Sequence, residues 1–108
     1  MNKYHNKKTV FGGITFDSKK EAERYGELLM LQRAGKISCL ARQCPYVVLD
    51  DYVLDGKKRR GITYIADFEY LDDEKKIHTE DVKGMRTDVY KLKKKMFESR
   101  YGRTIEEI

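Results

Sequence analysis

The sequence predicts a single α/β domain in which two helices pack against a mixed β-sheet. Two segments carry apolar residues at helical spacing and begin at residues that favour helix caps. Runs rich in β-branched and aromatic residues are separated by short turns, which is typical of hairpin-linked antiparallel strands. The second helix precedes the last strand, so this strand is expected to return parallel to a central strand of the sheet.

The N-terminal part is predicted to contain an arm, a hairpin and a helix. Residues 1–8 are basic and poor in apolar side chains, so we expect a mobile arm. Two glycines between short apolar segments, Gly12 and Gly13, predict a β-hairpin. Ser18 followed by Glu21 has the spacing of a capping box, and Gly35 is expected to end the helix that begins there.

Three strands are predicted next. Residues 37–54 form a strand pattern that ends at the hairpin turn Asp55-Gly56. Residues 61–70 are mostly apolar on both faces, which favours a central strand, and residues 76–83 form its neighbour.

The last elements are a helix and a strand. The helix is expected to begin at Thr87 or Asp88 and to reach about Arg100. Residues 104–108 are predicted to form the final strand. The apolar stripe of this helix is predicted to consist of Val89, Leu92, Met96 and Phe97.

Composition narrows the class of protein. A chain of 108 residues is too short for separate catalytic and binding domains, so one fold has to serve both purposes. The net charge of +5 and a pI of about 9.1 favour an anionic partner such as nucleic acid. No long apolar run or signal peptide is apparent, so we expect a cytoplasmic protein without a membrane partner. Cys39 and Cys44 lack zinc-site spacing and are expected to be small buried apolar side chains.

Asp67, Asp81 and Lys83 are the residues that indicate chemistry. Asp67 lies within an apolar strand, where a carboxylate without a partner is costly. On the next strand, alternation places Asp81 and Lys83 on one face and Glu80 on the other. Two carboxylates with the carbonyl of Val82 between Asp81 and Lys83 would form a hard-oxygen site of the kind that Mg²⁺ prefers. The alternative is structural, with Asp81 and Lys83 as an ion pair on a solvated strand face.

These motifs resemble those of the PD-(D/E)XK nuclease superfamily. Asp67 followed by Asp81-Val82-Lys83 matches its pattern, and the order of predicted elements from residue 18 to 108 resembles a restriction-endonuclease-like core preceded by a hairpin. The chain departs from the pattern at Ala66, where many members have proline. Residues 16–23, 64–68 and 80–84 are more narrowly similar to a family of short phage and prophage proteins.

The resemblance implies a metal-dependent nuclease with further site residues. Asp67, Asp81 and the Val82 carbonyl would bind Mg²⁺, for which Mn²⁺ would substitute, and Lys83 would assist the attacking water. Many members add an acidic residue from the first helix, here Glu21, which the capping-box spacing explains equally well. Gln43 is similar to a glutamine that some members place near the site.

Basic residues form a second predicted group. Lys83–Arg100 contains seven basic and two acidic residues, which favours contact with phosphates, although a solvated helix face gives the same pattern. The resemblance implies cleavage of branched, Holliday junction-like DNA by a homodimer. The alternatives are a nicking or restriction-like endonuclease acting on duplex DNA and a DNA-binding module without chemistry. The residues predicted to contact DNA are Lys57, Lys58, Arg59, Arg60, Arg86, Lys91, Lys94 and Lys95.

Overall fold

The computed structural model describes residues 8–82 and 86–108, and the predicted arm at residues 1–8 lies outside this part except for Lys8. The described residues form two helices, α1 (Lys19–Arg33) and α2 (Asp88–Tyr101). The strands are β1 (Thr9–Phe11), β2 (Ile14–Phe16), β3 (Ser38–Leu49), β4 (Tyr52–Leu54), β5 (Lys57–Arg59), β6 (Ile62–Leu71), β7 (Ile77–Asp81) and β8 (Glu106–Glu107).

The main sheet has the order β3-β6-β7-β8. β6 pairs antiparallel with β3 on one side and with β7 on the other, so the predicted central strand is confirmed. β8 returns through α2 and pairs parallel to β7, an interior strand, as the crossover predicts. The predicted α/β class is therefore confirmed.

Both predicted hairpin turns are present. Gly12 and Gly13 have φ values of 58° and 80°, and Asp55 and Gly56 have φ values of 51° and 73°. Two successive residues with positive φ match the twist of a two-residue hairpin. The hairpin β4–β5 forms a sheet of its own, so the strand predicted over residues 37–54 divides in two after Leu49.

The core consists of two clusters on either side of Asp67 in β6. Tyr64 and Ala66 belong to a cluster with α2, whereas Phe68 and Tyr70 belong to a cluster with α1 and the first hairpin. Gln43 of β3 lies opposite Asp67, between the pairs Arg42–Phe68 and Cys44–Ala66, and has a φ of 51°. A left-handed residue in a strand is typical of a local irregularity. Both strands thus pass from one cluster to the other beside Asp67.

The predicted stripe of α2 is wrong at two positions. Val89 and Leu92 are 62% and 57% exposed, whereas Tyr90 and Phe97 are buried. Phe97 contacts Tyr46 edge to face, with ring centroids 5.1 Å apart. Aromatic rings bury more area than Val or Leu, so they decide which face of the helix packs.

Two smaller expectations have mixed outcomes. Thr87 caps α2 by accepting a hydrogen bond from the Tyr90 N–H, and Gly102 with a φ of 68° ends it. Cys44 is buried as expected, but Cys39 is exposed because it lies in the irregular first part of the edge strand, with a φ of 56°. Within residues 8–82 and 86–108, no helix is long and apolar enough to cross a membrane.

Candidate active site

A notch in the main sheet brings Asp67 and Asp81 together. β6 pairs with β7 only over residues 68–71, whereas residues 62–66 of β6 pair only with β3 in the described part of the chain. The antiparallel register pairs Phe68 with Glu80. Asp67 and Asp81, one residue beyond this pair on each strand, therefore lie opposite each other at the end of β7.

Asp67 is held by the backbone and faces other carboxylates. Its Oδ2 accepts a hydrogen bond of 2.8 Å from the Val82 N–H, and its carboxyl group lies within hydrogen-bonding distance of that of Asp81. Burial, together with the negative charges of Asp81 and Glu21, raises the pKa of Asp67 to about 7, although the Val82 N–H opposes this shift.

Asp81 is almost completely buried and is fixed from several sides. The Tyr64 hydroxyl donates a hydrogen bond to its Oδ2, and the Asp81 carbonyl accepts a 3.0 Å hydrogen bond from the Ile108 N–H. Burial and the Asp81 hydrogen bond raise the pKa of Tyr64, which therefore stays protonated and remains a donor. Nothing in the sequence pattern distinguished Tyr64 from other core tyrosines, so sequence analysis missed it.

Glu21 lies both at the capped end of α1 and near the candidate site, the two alternatives that the sequence left open for it. Its N–H donates to the Ser18 Oγ at 3.1 Å, which is the helix cap. Its side chain is buried and accepts a long hydrogen bond of 3.5 Å from the Gln43 Nε2. Burial, Asp17 and Asp81 raise the pKa of Glu21, while Arg42 opposes the shift. Ser18 is therefore the helix cap and the Glu21 N–H is the capped group, while the Glu21 carboxyl group bonds Gln43 and lies in the electrostatic field of the Asp67–Asp81 pair.

Glu80 is separated from this group by an ion pair on the other side of β7. Arg24 of α1 donates to both Glu80 carboxylate oxygens, at 2.8 and 2.6 Å, and the Tyr70 hydroxyl donates at 2.6 Å. The preference for Asp81 over Glu80 as the residue facing Asp67 agrees with this geometry.

The residues of the predicted metal site are only partly described. Lys83 lies outside the described residues. Within residues 8–82 and 86–108, no group of three or more His, Cys, Asp or Glu side chains is arranged to hold a metal ion. The arrangement thus provides two adjacent carboxyl groups and the Val82 peptide unit, with Glu21 close enough to act on them electrostatically.

The opening of the notch includes residues that sequence analysis did not assign to the site. Lys93 of α2 lies on the wall of the notch, one helical turn after Val89. The sequence indicated this position only through the four-residue spacing that places both side chains on one face of the helix. The residues that line the opening are Thr63, Tyr64, Ile65, Asp67, Asp81, Thr87, Val89, Tyr90 and Lys93.

The residues predicted to contact DNA lie on two elements. Arg86, Lys91, Lys94 and Lys95 line one groove beside α2, in which Glu107 pairs with both Arg86 and Lys94. The other four are exposed on or just after β5, and the Lys58 Nζ lies 3.4 Å from an Asp51 carboxylate oxygen. Those four are Lys57, Lys58, Arg59 and Arg60.

Comparison with known proteins assigns a family but no activity. A family model described as a protein of unknown function, DUF1064, matches residues 1–106, and the chain therefore belongs to that family. The chain matches no curated protein and no solved structure.

Proposed function

We propose that this member of the DUF1064 family is a Mg²⁺-dependent DNA endonuclease with a PD-(D/E)XK-type, restriction-endonuclease-like core. The observation that carries the proposal is the pair of carboxyl groups, Asp67 and Asp81, which neighbouring strands hold together in the notch, with Asp81 buried and Asp67 half-buried. Burial is the main cause of the raised pKa of Asp67, and the negative charge of Asp81 adds to it, because the two groups repel each other when both are ionised. A bound cation removes the repulsion, so a charge arrangement that is unfavourable for the fold alone favours metal binding.

The donor set fits Mg²⁺. Asp67 and Asp81 supply carboxylate oxygens, Val82 supplies a backbone carbonyl, and Glu21 would bind directly or through water. Mg²⁺ is usually held by one or two carboxylates and keeps several waters, so three side chains are not required. When bound, the metal acidifies a water molecule and neutralises charge on a phosphate. Mn²⁺ has the same preference for oxygen ligands and would substitute.

The protein groups around the pair orient it. The Val82 N–H holds one oxygen of Asp67, and the Tyr64 hydroxyl holds one oxygen of Asp81. The remaining carboxylate oxygens are therefore fixed before any ligand arrives, which lowers the reorganisation needed during the reaction. Lys83, two residues after Asp81, would position the attacking water and stabilise negative charge on the phosphate.

Basic residues would grip the DNA backbone. The groove beside α2 is lined by residues that come after the notch strands β6 and β7 in sequence, and its lysines would contact phosphates. The basic residues on and after β5 would do the same. The resemblance to phage and prophage proteins favours branched DNA as the substrate, in recombination or replication within the host cytoplasm. Matched cuts across a junction need two sites, so we propose that the enzyme acts as a homodimer.

The proposal is tested by cleavage of labelled four-way junction, duplex and single-stranded DNA, with Mg²⁺ or with EDTA. Purified wild type should cut at least one substrate in Mg²⁺ and none in EDTA. Asp81→Asn should reduce the rate by at least about a hundredfold, because it removes one of the two carboxylates. Asp73→Asn, the same isosteric change at an exposed residue between β6 and β7, is the matched control and should retain activity.

Each contrary result has a distinct meaning. Cleavage that survives Asp81→Asn would place the reaction elsewhere and overturn the site. Salt-sensitive binding without any metal-dependent cut would identify a DNA-binding module instead of an enzyme. Faster cleavage of regular duplex than of junctions would keep the endonuclease and reject branched DNA as its substrate.

A further inference from the structure

We infer that the notch receives an unstacked nucleotide, so that the enzyme acts where the DNA strand is locally single-stranded. The inference rests on the proposed function and deepens it. Its basis is an apolar rim around the carboxylate pair, formed by Ile65 and Val89. These side chains are 56% and 62% exposed, although both line the same opening as Asp67 and Asp81.

The rim is a product of the backbone geometry. Ile65 lies two residues before Asp67, in the part of β6 that pairs with β3 and lies outside the residues 68–71 that pair with β7, and both residues line the opening. β7 ends before it reaches this part of β6, and the first turn of α2, which carries Val89, contributes the opposite wall. Two apolar side chains from separate elements therefore flank the position where the scissile phosphate would lie.

Regular duplex DNA offers little to such a rim. The outside of a duplex presents phosphates and sugars, and its bases are stacked inside. Apolar side chains contact DNA productively where base steps are opened or bases are unstacked, because each base has an apolar face. An unstacked base beside the scissile phosphate would cover Ile65 and Val89 and remove their apolar surface from water.

Charge on the same wall supports a nucleotide as the occupant. Lys93 lines the opening one helical turn after Val89, whereas Lys91, Lys94 and Lys95 line the separate basic groove. A cation next to apolar side chains fits a phosphate joined to a base. The rim and Lys93 together thus form a site for one nucleotide, whereas the groove beside α2 fits the continuing backbone.

The experiment measures binding in EDTA, so that it does not depend on cleavage. Affinities are determined by fluorescence anisotropy for a single strand, a four-way junction and a duplex of equal length, using wild type, Val89→Ser and Ile65→Ser. Leu92→Ser and Ile77→Ser are the matched controls, since these exposed residues (57% and 48%) lie on α2 and β7 without lining the notch. 2-Aminopurine placed in the single strand and at the junction branch reports unstacking.

Wild type should bind the single strand and the junction more tightly than the duplex and should increase 2-aminopurine fluorescence. Val89→Ser and Ile65→Ser should each weaken binding to these two substrates by about tenfold, the size expected for a lost base contact. Duplex affinity should change by less than about twofold, because backbone contacts remain. The controls should resemble wild type, and circular dichroism should show that all four variants fold.

The inference is overturned if the rim variants weaken binding to every substrate equally, if the control variants have the same effect, or if 2-aminopurine fluorescence does not change. Failure of the endonuclease proposal looks different. In that case the rim variants still bind the single strand and the junction more weakly than wild type in EDTA, while Mg²⁺ produces no cut. Metal-dependent cleavage of all substrates with no effect of the rim variants would retain the enzyme and reject the unstacked nucleotide.

Discussion

Glu80 and Asp67 are both carboxylates within the main sheet, yet their surroundings are opposite. Glu80 receives two hydrogen bonds from Arg24 and one from Tyr70, so its charge is balanced. Asp67 receives a hydrogen bond from the Val82 N–H and faces the carboxyl groups of Asp81 and Glu21, and burial together with these two negative charges raises its pKa. The fold thus compensates one buried carboxylate with a cation and places the other among like charges.

The difference separates a structural role from a functional one. A buried charge held by a bidentate arginine is satisfied within the fold, and it needs no ligand. Clustered carboxyl groups with a raised pKa occur where a protein binds a cation or transfers a proton, although structural networks also shift pKa values. The contrast predicts that neutralising Glu80 and neutralising Asp67 change stability in opposite directions.

The largest loss of stability is expected from Arg24→Ala. This variant leaves Glu80 buried without its cation, and the free energy of unfolding should fall by about 3–5 kcal/mol. Urea unfolding at pH 7 measures the change. Lys19→Ala, which removes an exposed ion pair of 3.9 Å with Glu23, is the control and should change stability by less than about 1 kcal/mol. Equal effects of the two variants would show that Glu80 is not held in the way described.

An effect of opposite sign is expected from Asp67→Asn. Because the folded-state pKa of Asp67 is raised from 3.8 to about 7, the stability that protonated Asp67 permits is present at low pH and is lost as pH rises toward 7. In EDTA at pH 8 the variant should therefore be more stable than wild type, by about 1.4 kcal/mol for each unit of pKa shift that it removes.

The isosteric change Glu80→Gln is the matched control for Asp67→Asn and should destabilise the protein in the same buffer. Added Mg²⁺ should raise the melting temperature of wild type and have little effect on Asp67→Asn. A variant less stable than wild type at pH 8 would contradict the like-charge description of the notch.

The smallest effect on stability concerns His78, which lies near the Arg24–Glu80 ion pair. His78 lies between Asp72 at 2.8 Å and Glu106 at 2.7 Å, and its ring stacks on Tyr70, the donor to Glu80. Hydrogen bonds to Asp72 and then Glu106 raise the pKa of His78, while burial opposes them. The added stability is complete below the ordinary pKa of 6.5 and is lost as pH rises through the raised folded-state pKa.

The measurement is the unfolding free energy of wild type relative to His78→Gln across this pH range. Wild type should exceed the variant by up to about 1 kcal/mol near pH 6, and the difference should shrink as the pH rises above the ordinary pKa and through the raised folded-state pKa. Glu106→Gln removes one acceptor and should give a weaker pH dependence than wild type. A constant difference across the range would show that the charge of His78 does not stabilise the fold.

Local chemistry determined much of what the sequence predicted correctly. The Gly12-Gly13 and Asp55-Gly56 turns, the Ser18 cap and the central position of β6 follow from backbone preferences and residue pattern. Strand alternation was sufficient to place Asp81 and Glu80 on different faces, because the side-chain period of a strand is two whatever the strand packs against.

Packing decided what the pattern could not. The rotation of α2 depends on how Tyr90 and Phe97 fit against β3 and β6, so Val89 is exposed at the notch instead of buried. The position of Tyr64 against Asp81 and of Lys93 on the notch wall likewise depends on contacts between residues distant in sequence. Such contacts are set by shape and area across the whole core, which no local window contains.

The sequence by itself determined which residue types carry the candidate chemistry and, through strand periodicity, that Asp67 and Asp81 can meet. The tertiary structure decided their electrostatic state. Asp67 is half-buried beside two carboxyl groups, and Glu80, the residue next to Asp81, is balanced by Arg24, which lies 56 residues away from it in sequence. The physical reason is that a pKa depends on every charge and on the exclusion of water around the group, and both arise only when distant segments pack together.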